Sequence, residues 1–315
     1  MDGYVNNQVA EPISDEMFVV CGPESGDAEK IGRPHVGYLQ DVWRRLRENK
    51  IALLALVVLI VLNALVVIGP SLSGYSFEEI DKTARNKPPS AQHWFGTDKL
   101  GRDLFARVWH GGRVSMLIGL TAAFVSSFIG CIYGGAAAYF GGRVDDLMMR
   151  VVEIIQSIPY LIVVILFSII MQSKSLFTIL LALTLTGWCG IARLVRGQML
   201  QIRGQEYVLA AQALGVAPWK IIRRHMIPNM FSVVIVAITF DIPGYIFSEA
   251  FLSYIGLGIQ PPETSWGALA SAAQLEYMFY PHLLFFPALM IALTMLSFTL
   301  LGDALRDALD PRLRR

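Results

Sequence analysis

The chain has 315 residues, of which 54% are hydrophobic and only 16% charged, with a formal net charge of +1 and a mean hydropathy of +0.51. Soluble globular domains carry about 45–50% apolar and about 25% charged residues, so this composition excludes an ordinary water-soluble fold and offers no net basic surface for nucleic acid. It is the composition of a membrane protein.

From the N-terminus, residues 1–40 are polar and mildly acidic, with Gly, Pro and Ser in no periodic pattern, which predicts a disordered cytoplasmic tail. No basic segment leads into a short apolar run with a cleavage site, so no signal peptide is expected. Trp43, Arg44, Arg45, Leu46 and Arg47 follow; their indole and guanidinium groups suit the headgroup layer, where anionic lipid attracts them. Apolar stretches near the ~20 residues that cross hydrocarbon then fall at 51–68, 114–138, 154–171, 176–195, 228–247 and 283–301. The expectation is an all-α membrane protein of six transmembrane helices. Its parts are the tail 1–40, a juxtamembrane segment and first helix at 41–69, an extracytoplasmic loop at 70–112, a core of the other five helices at 113–303, and a cytoplasmic C-terminal tail at 304–315.

Cationic loops are retained on the cytoplasmic side. With both termini cytoplasmic, most of the 26 Lys and Arg lie inside: those ahead of the first span, Arg143 and Arg150 after the second, the group from Arg193 to Arg224, and Arg306, Arg312, Arg314 and Arg315. The outer segment 248–281 holds none. The cations of 70–112 sit in a long loop, which is exempt from the rule.

Within that loop, Gly96, Thr97, Asp98, Lys99, Leu100, Gly101, Arg102 and Asp103 echo the spacing of a phosphate-binding loop. Such a loop needs Lys to reach the terminal phosphates and a hydroxyl to hold magnesium, and Arg102 and Asp103 stand in those places. The remaining reading is a Gly- and Asp-punctuated turn into the second span, so any nucleotide belongs to another chain. Cys21, Cys131 and Cys189 are too few and scattered for a disulfide framework or a metal site, and His35, His93, His110, His225 and His282 lie outside the spans without paired spacing. Neither a catalytic nor a metal site is expected.

The second span places Ser126, Gly130, Gly134 and Ala138 at every fourth position, a seam that lets helix backbones approach closely; the neighbour is a helix of this chain or of a partner. Pro159 in the third span, and Pro243 with Gly244 in the fifth, predict bends. Asp241 lies about 20 Å beyond Pro228 at ~1.5 Å per residue, an ionisable group at membrane depth that either lines a cavity or bonds to a neighbouring helix. Glu153 and Glu249, near helix ends, can reach the interface and read as structural. Asp241, Pro243 and Glu249 form the candidate translocation path.

Between the fourth and fifth spans, the polar stretch 206–229 reads EYVLAAQALGVAPWKIIRRHMIPN. Tyr207, Val208, Ala210, Ala211 and Leu214 recur at spacings of three and four, the pattern of an amphipathic helix that starts at Glu206. Gly215 can end that helix, Pro218 suits the first turn of a second short helix carrying Trp219, Ile221 and Ile222, and Pro228 opens the fifth span. Two short helices joined at a Gly make a compact cytoplasmic knob able to enter a groove on a partner. A secondary transporter would show inverted repeats or more embedded charge, and a membrane hydrolase would show a Ser, His or acidic pair at matching depth; neither pattern is present.

Several stretches recur together in order: the basic segment before the first span, HWFGTDKLGRDLFARVWHGGRVS from His93, YFGGRVDDLMMRVVEIIQSIP from Tyr139, the 206–229 loop, EAFLSYIGLGIQPPETSWGALA from Glu249 and GDALRDALDPRLR from Gly302. In these the chain resembles the permease subunits of binding-protein-dependent ABC importers, specifically the C-type permease of oligopeptide and dipeptide systems. The resemblance implies a type I ABC importer permease fold in a prokaryotic inner or plasma membrane, among its lipids and with no catalysis of its own. The implied partners are a second permease, forming a heterodimer, two cytoplasmic ATPase subunits that hold ATP and magnesium, and an extracytoplasmic substrate-binding protein. Peptides are the implied substrate; nickel chelates or another small solute are the alternative.

The family's ATPase-coupling loop is named for Glu-Ala-Ala followed by Gly. Ala210, Ala211 and Gly215 match it, as do Ile221, His225, Pro228 and Asn229, while Leu209 occupies the place of the Glu. Glu206, Arg223 and Arg224 are then the residues left to supply polar contacts. The implied mechanism is alternating access, driven through this loop by ATP binding and reset by hydrolysis.

Overall fold

The computed structural model describes residues 38–309. It divides into Met1–Asp41 and Val42–Arg315; the first unit is described only over 38–41, so the tail expected at 1–40 lies almost wholly outside the described residues, and 38–40 open a helix. In chain order the helices are α1 (Tyr38–Glu48), α2 (Lys50–Leu72), α3 (Leu104–Phe140), α4 (Gly142–Ser157), α5 (Tyr160–Ile170), α6 (Leu176–Arg203), α7 (Glu206–Ala213), α8 (Pro218–Ile221), a π-helical turn at Ile222–Met226, α9 (Ile227–Tyr254), α10 (Trp266–Ala273) and α11 (His282–Leu309). Among the described residues the extended pairing is a single bridge, Thr97 with Asp103.

Helices α2, α3, α6, α9 and α11 are each long and apolar enough to cross a membrane. The run at 154–171, expected as a single helix, falls instead on two helices. There α4 and α5 meet at an 80° bend, because Pro159 forces the preceding Ile158 into extended backbone with ψ 122°. Hydropathy misses most of α4, whose Arg143, Asp145, Asp146, Arg150 and Glu153 leave only its end within the apolar run. Asp145 accepts a two-pronged contact from Arg196 of α6, at 2.6 and 2.7 Å. The Tyr133 hydroxyl donates to the Met148 carbonyl at 3.0 Å.

The second span begins at Leu104 rather than 114, because Asp103 caps it: its Oδ2 accepts from the Ala106 amide at 2.8 Å while its Oδ1 meets His93 Nδ1 at 2.9 Å. The phosphate-loop lookalike is a turn built on Asp98, whose carboxylate accepts from the Leu100 and Arg102 amides and from Arg102 Nε. Gly101 (φ +80°) packs on the Asp81 carbonyl, where a Cβ has no room. The C-terminal tail expected at 304–315 continues as helix through Leu309, and 310–315 lie outside the described residues.

Small residues set the packing. Ala52, Ala55, Leu59, Leu62, Val66 and Gly69 are the buried side of α2, while Ile51, Leu54, Ile60 and Val67 stay exposed, as a helix apolar all round does in lipid. The seam of α3 is intramolecular: Gly130 lies on Ile191 and the Trp188 carbonyl, and Gly134 on the Ala192 backbone, both of α6. A side chain at either glycine would push the two helices apart.

Candidate functional site

Helices α7 and α8 form the knob, and local chemistry explains its shape. The backbone of α7 stops at Leu214, and Gly215 takes φ +72°. The Val216 amide then reaches back to the Ala211 carbonyl at 3.1 Å and the Gly215 amide to Gln212 at 3.0 Å, the pair of bonds that closes a helix over a left-handed glycine. No atom lies within 4 Å of a Cβ built on Gly215, so glycine is required there by backbone conformation and not by space. Pro218 opens α8, and its missing amide costs nothing in the first turn. Asn229 Nδ2 donates to the Tyr207 hydroxyl at 3.2 Å, joining the start of α7 to the start of α9.

Few side chains hold the knob to the bundle. Val208, Ile221 and Met226 are buried with Val195, Met199 and Ile202 of α6 and Met230 and Val234 of α9. Beside them a cavity of about 440 Å³ separates the knob from the ends of α3 and α6, lined in part by Tyr139, Met199, Arg203, Gln212 and Ile222. The spacing of apolar residues in α7 predicted a broader buried face. The structure buries Val208, half-buries Ala211 and leaves Tyr207, Ala210 and Leu214 exposed, because a two-turn helix docked by one edge covers little more than one side chain. The knob therefore presents Leu209 (51% exposed), Leu214 (83%) and Trp219 (65%) outward. Glu206, Arg223, Arg224 and Pro228 are exposed around them, and His225 lies in the π-helical turn. Leu209, the departure from the family motif, belongs to this outward apolar face.

The three residues expected along the path separate. Glu249 does not reach the interface; it is fully buried, and three hydroxyls donate to its carboxylate: Ser115 of α3 at 3.0 Å, Ser253 one turn on at 2.7 Å and Ser265 at 2.6 Å. Ser265 also caps α10 by accepting from the Ala268 amide, and Ser115 accepts from the Trp266 amide. Glu249 thus ties α3, α9 and α10 together, and Gly267 packed on the Ala250 backbone tightens the joint. Pro243 is buried inside α9, where it leaves the Thr239 carbonyl without its helical donor. Asp241 is half-buried and forms no ion pair or hydrogen bond with another described residue.

Sequence reasoning missed Ser115, Ser265 and Tyr245, and gave Ser126 only as part of the packing seam of α3. The first two meet Glu249 across 134 and 16 positions, beyond the reach of local periodicity. Tyr245 had a signal: it lies four residues after Asp241 on an apolar helix.

Residues 116–315 match the family described as binding-protein-dependent transport system inner membrane component, and residues 37–89 match the N-terminal TM domain of oligopeptide transport permease C. The chain is 49% identical over 305 residues to the dipeptide transport system permease protein of Bacillus subtilis, covering 96% of this chain and 95% of that one. To the oligopeptide transport system permease protein of the same organism it is 44% identical over 303 residues, covering 96% and 99%. A solved methionine ABC transporter in an inward-facing conformation superposes with a TM-score of 0.49 and 21% identity, over 64% of this chain and 97% of that one.

Proposed function

The chain belongs to the binding-protein-dependent transport system inner membrane component family, and from that membership we propose that it works as one of two permease subunits in an ATP-driven importer of peptides. It is the membrane-crossing component and not the catalytic one. The names of its relatives, permeases for dipeptides and oligopeptides, support peptides as the solute. ATP and magnesium are then held by two cytoplasmic ATPase subunits, a second permease completes the path, and an extracytoplasmic binding protein delivers the peptide.

One observation carries the coupling role: the knob exposes Leu209, Leu214 and Trp219 outward, while Val208, Ile221 and Met226 are its buried contacts with the bundle. An apolar tip of this kind is an anchor for a protein groove, where a buried Trp and its neighbours supply most of the binding energy. Nucleotide can shift the bundle between outward- and inward-facing arrangements only through its different affinity for the two. The Gly215 closure and the Asn229 to Tyr207 bond let the knob move as a unit with α9. Co-expression with the candidate partner genes tests the reading. Two ATPase subunits and a second permease co-purify with this chain, and proteoliposomes of the complex take up peptide when ATP and loaded binding protein are supplied. A chain that transports peptide alone, without ATPase subunits, contradicts it.

A further inference from the structure

Asp241, Gly244, Tyr245 and Ser248 follow one another at i, i+3, i+4 and i+7 along α9 and so share one face. The neighbouring face, with Ile242, Ile246, Glu249 and Ser253, is buried. The polar face is not closed over: Gly244 is exposed, Asp241, Tyr245 and Ser248 are partly exposed, and nothing approaches within 4 Å of a Cβ built on Gly244.

The hydroxyl protons of this face are already spent. Tyr245 donates to Ser126 Oγ of α3 at 2.9 Å, and is held there by Gly187 of α6, where a Cβ would overlap its hydroxyl. Ser248 donates to the Gly244 carbonyl at 2.8 Å. What remains toward the open side is the Asp241 carboxylate, with the partly exposed Ser248 oxygen two turns further along the same face, both of them acceptors. An acceptor row at membrane depth, carrying a carboxylate with no ion pair or hydrogen bond to another described residue, calls for a donor-rich cation or for water. From Asp241 to Ser248 the row is about 10 Å long at ~1.5 Å per residue, close to the length of a tripeptide backbone at ~3.4 Å per residue. Gly244 leaves room for that backbone to approach.

We propose that this face is a solute-binding station in the translocation path, with Asp241 taking the cationic amino terminus of a peptide, Ser248 accepting from an amide N–H group, and Tyr245 holding the face against α3 and α6. The proposal rests on the peptide-importer reading and assigns the substrate end that this subunit recognises.

The complete importer in proteoliposomes tests it, with a free-amine tripeptide as the probe. Gly244→Cys and Ser248→Cys are exposed to a small water-soluble thiol reagent, with the wild-type chain as the blank. Both are modified, and tripeptide-loaded binding protein with ATP slows the modification severalfold. Asp241→Asn, which keeps the shape of the side chain, lowers uptake about tenfold through KM, the loss expected for one charge-assisted contact, whereas Asp241→Glu stays within about threefold of wild type. If neither cysteine reacts, a partner helix or lipid covers the face and the station does not exist. If wild-type complex imports the tripeptide and Asp241→Asn imports it equally well, the assignment of the amino terminus is overturned while the importer reading stands. If wild-type complex imports no peptide, the importer reading itself falls and takes this assignment with it.

Discussion

The two ends of this molecule are built differently. Around Glu249 the chain closes on itself: a fully buried carboxylate takes three hydroxyl donors from three segments, and Trp266, buried beside it, donates its indole N–H to the Val108 carbonyl at 2.8 Å. At the knob the chain stays open. Three apolar side chains anchor it, a cavity lies behind it, and its largest side chains face outward. The difference teaches where shape is made and where it is lent: one end holds the helices in fixed relation, and the other has an outward apolar surface, the one proposed to meet the ATPase subunits.

Substitutions at the two ends should therefore fail in different ways. The largest effect belongs to Glu249→Ala, which leaves the hydroxyls of Ser115, Ser253 and Ser265 without their common acceptor, and unsatisfied buried groups cost about 1–3 kcal/mol each. Little folded protein is expected in membranes, and Glu249→Gln, which keeps an acceptor oxygen, recovers a large part of it; yields and thermal midpoints in detergent measure both. Gly134→Leu comes next, because its side chain would occupy the Ala192 backbone of α6. Overpacking of this kind costs about 1–3 kcal/mol, read as a lowered midpoint in the isolated chain.

At the open end, Leu214→Ala with Trp219→Ala leaves the midpoint where it was and weakens retention of the ATPase subunits about tenfold, the size of one lost interfacial anchor. An equal loss of stability in that double variant would erase the contrast between the two ends. Smallest is Gly215→Ala: the new Cβ meets nothing, so only the left-handed backbone is penalised, by about 1 kcal/mol, and uptake falls by less than the anchor loss does.

Much of this was legible in the sequence. Five crossings follow from runs of apolar residues, with the remaining run falling on the bent pair α4 and α5, and the knob follows from Gly215, Pro218 and Pro228, whose backbone demands are local. The break before α5 was half legible, since Pro159 marks a bend but its 80° angle depends on α4, a polar helix held by the Asp145 to Arg196 pair. Glu249 was legible as a structural residue but not in its burial or partners. Its setting depends on Ser115 and Ser265, distant in sequence, and a carboxylate near a helix end looks the same whether water or three hydroxyls surround it. The outward turn of Leu214 was hidden for a related reason, because periodicity gives the faces of a helix and tertiary contact decides which face is covered.

Gly215→Pro tests the central claim most directly. Proline cannot adopt φ +72° and has no amide to give to the Gln212 carbonyl, so the closure between α7 and α8 opens while the spans are untouched. In purified complex the measurement is ATPase rate with and without substrate-loaded binding protein. The account predicts that the variant assembles and hydrolyses ATP at a basal rate that loaded binding protein no longer raises; stimulation equal to that of the wild type would contradict it.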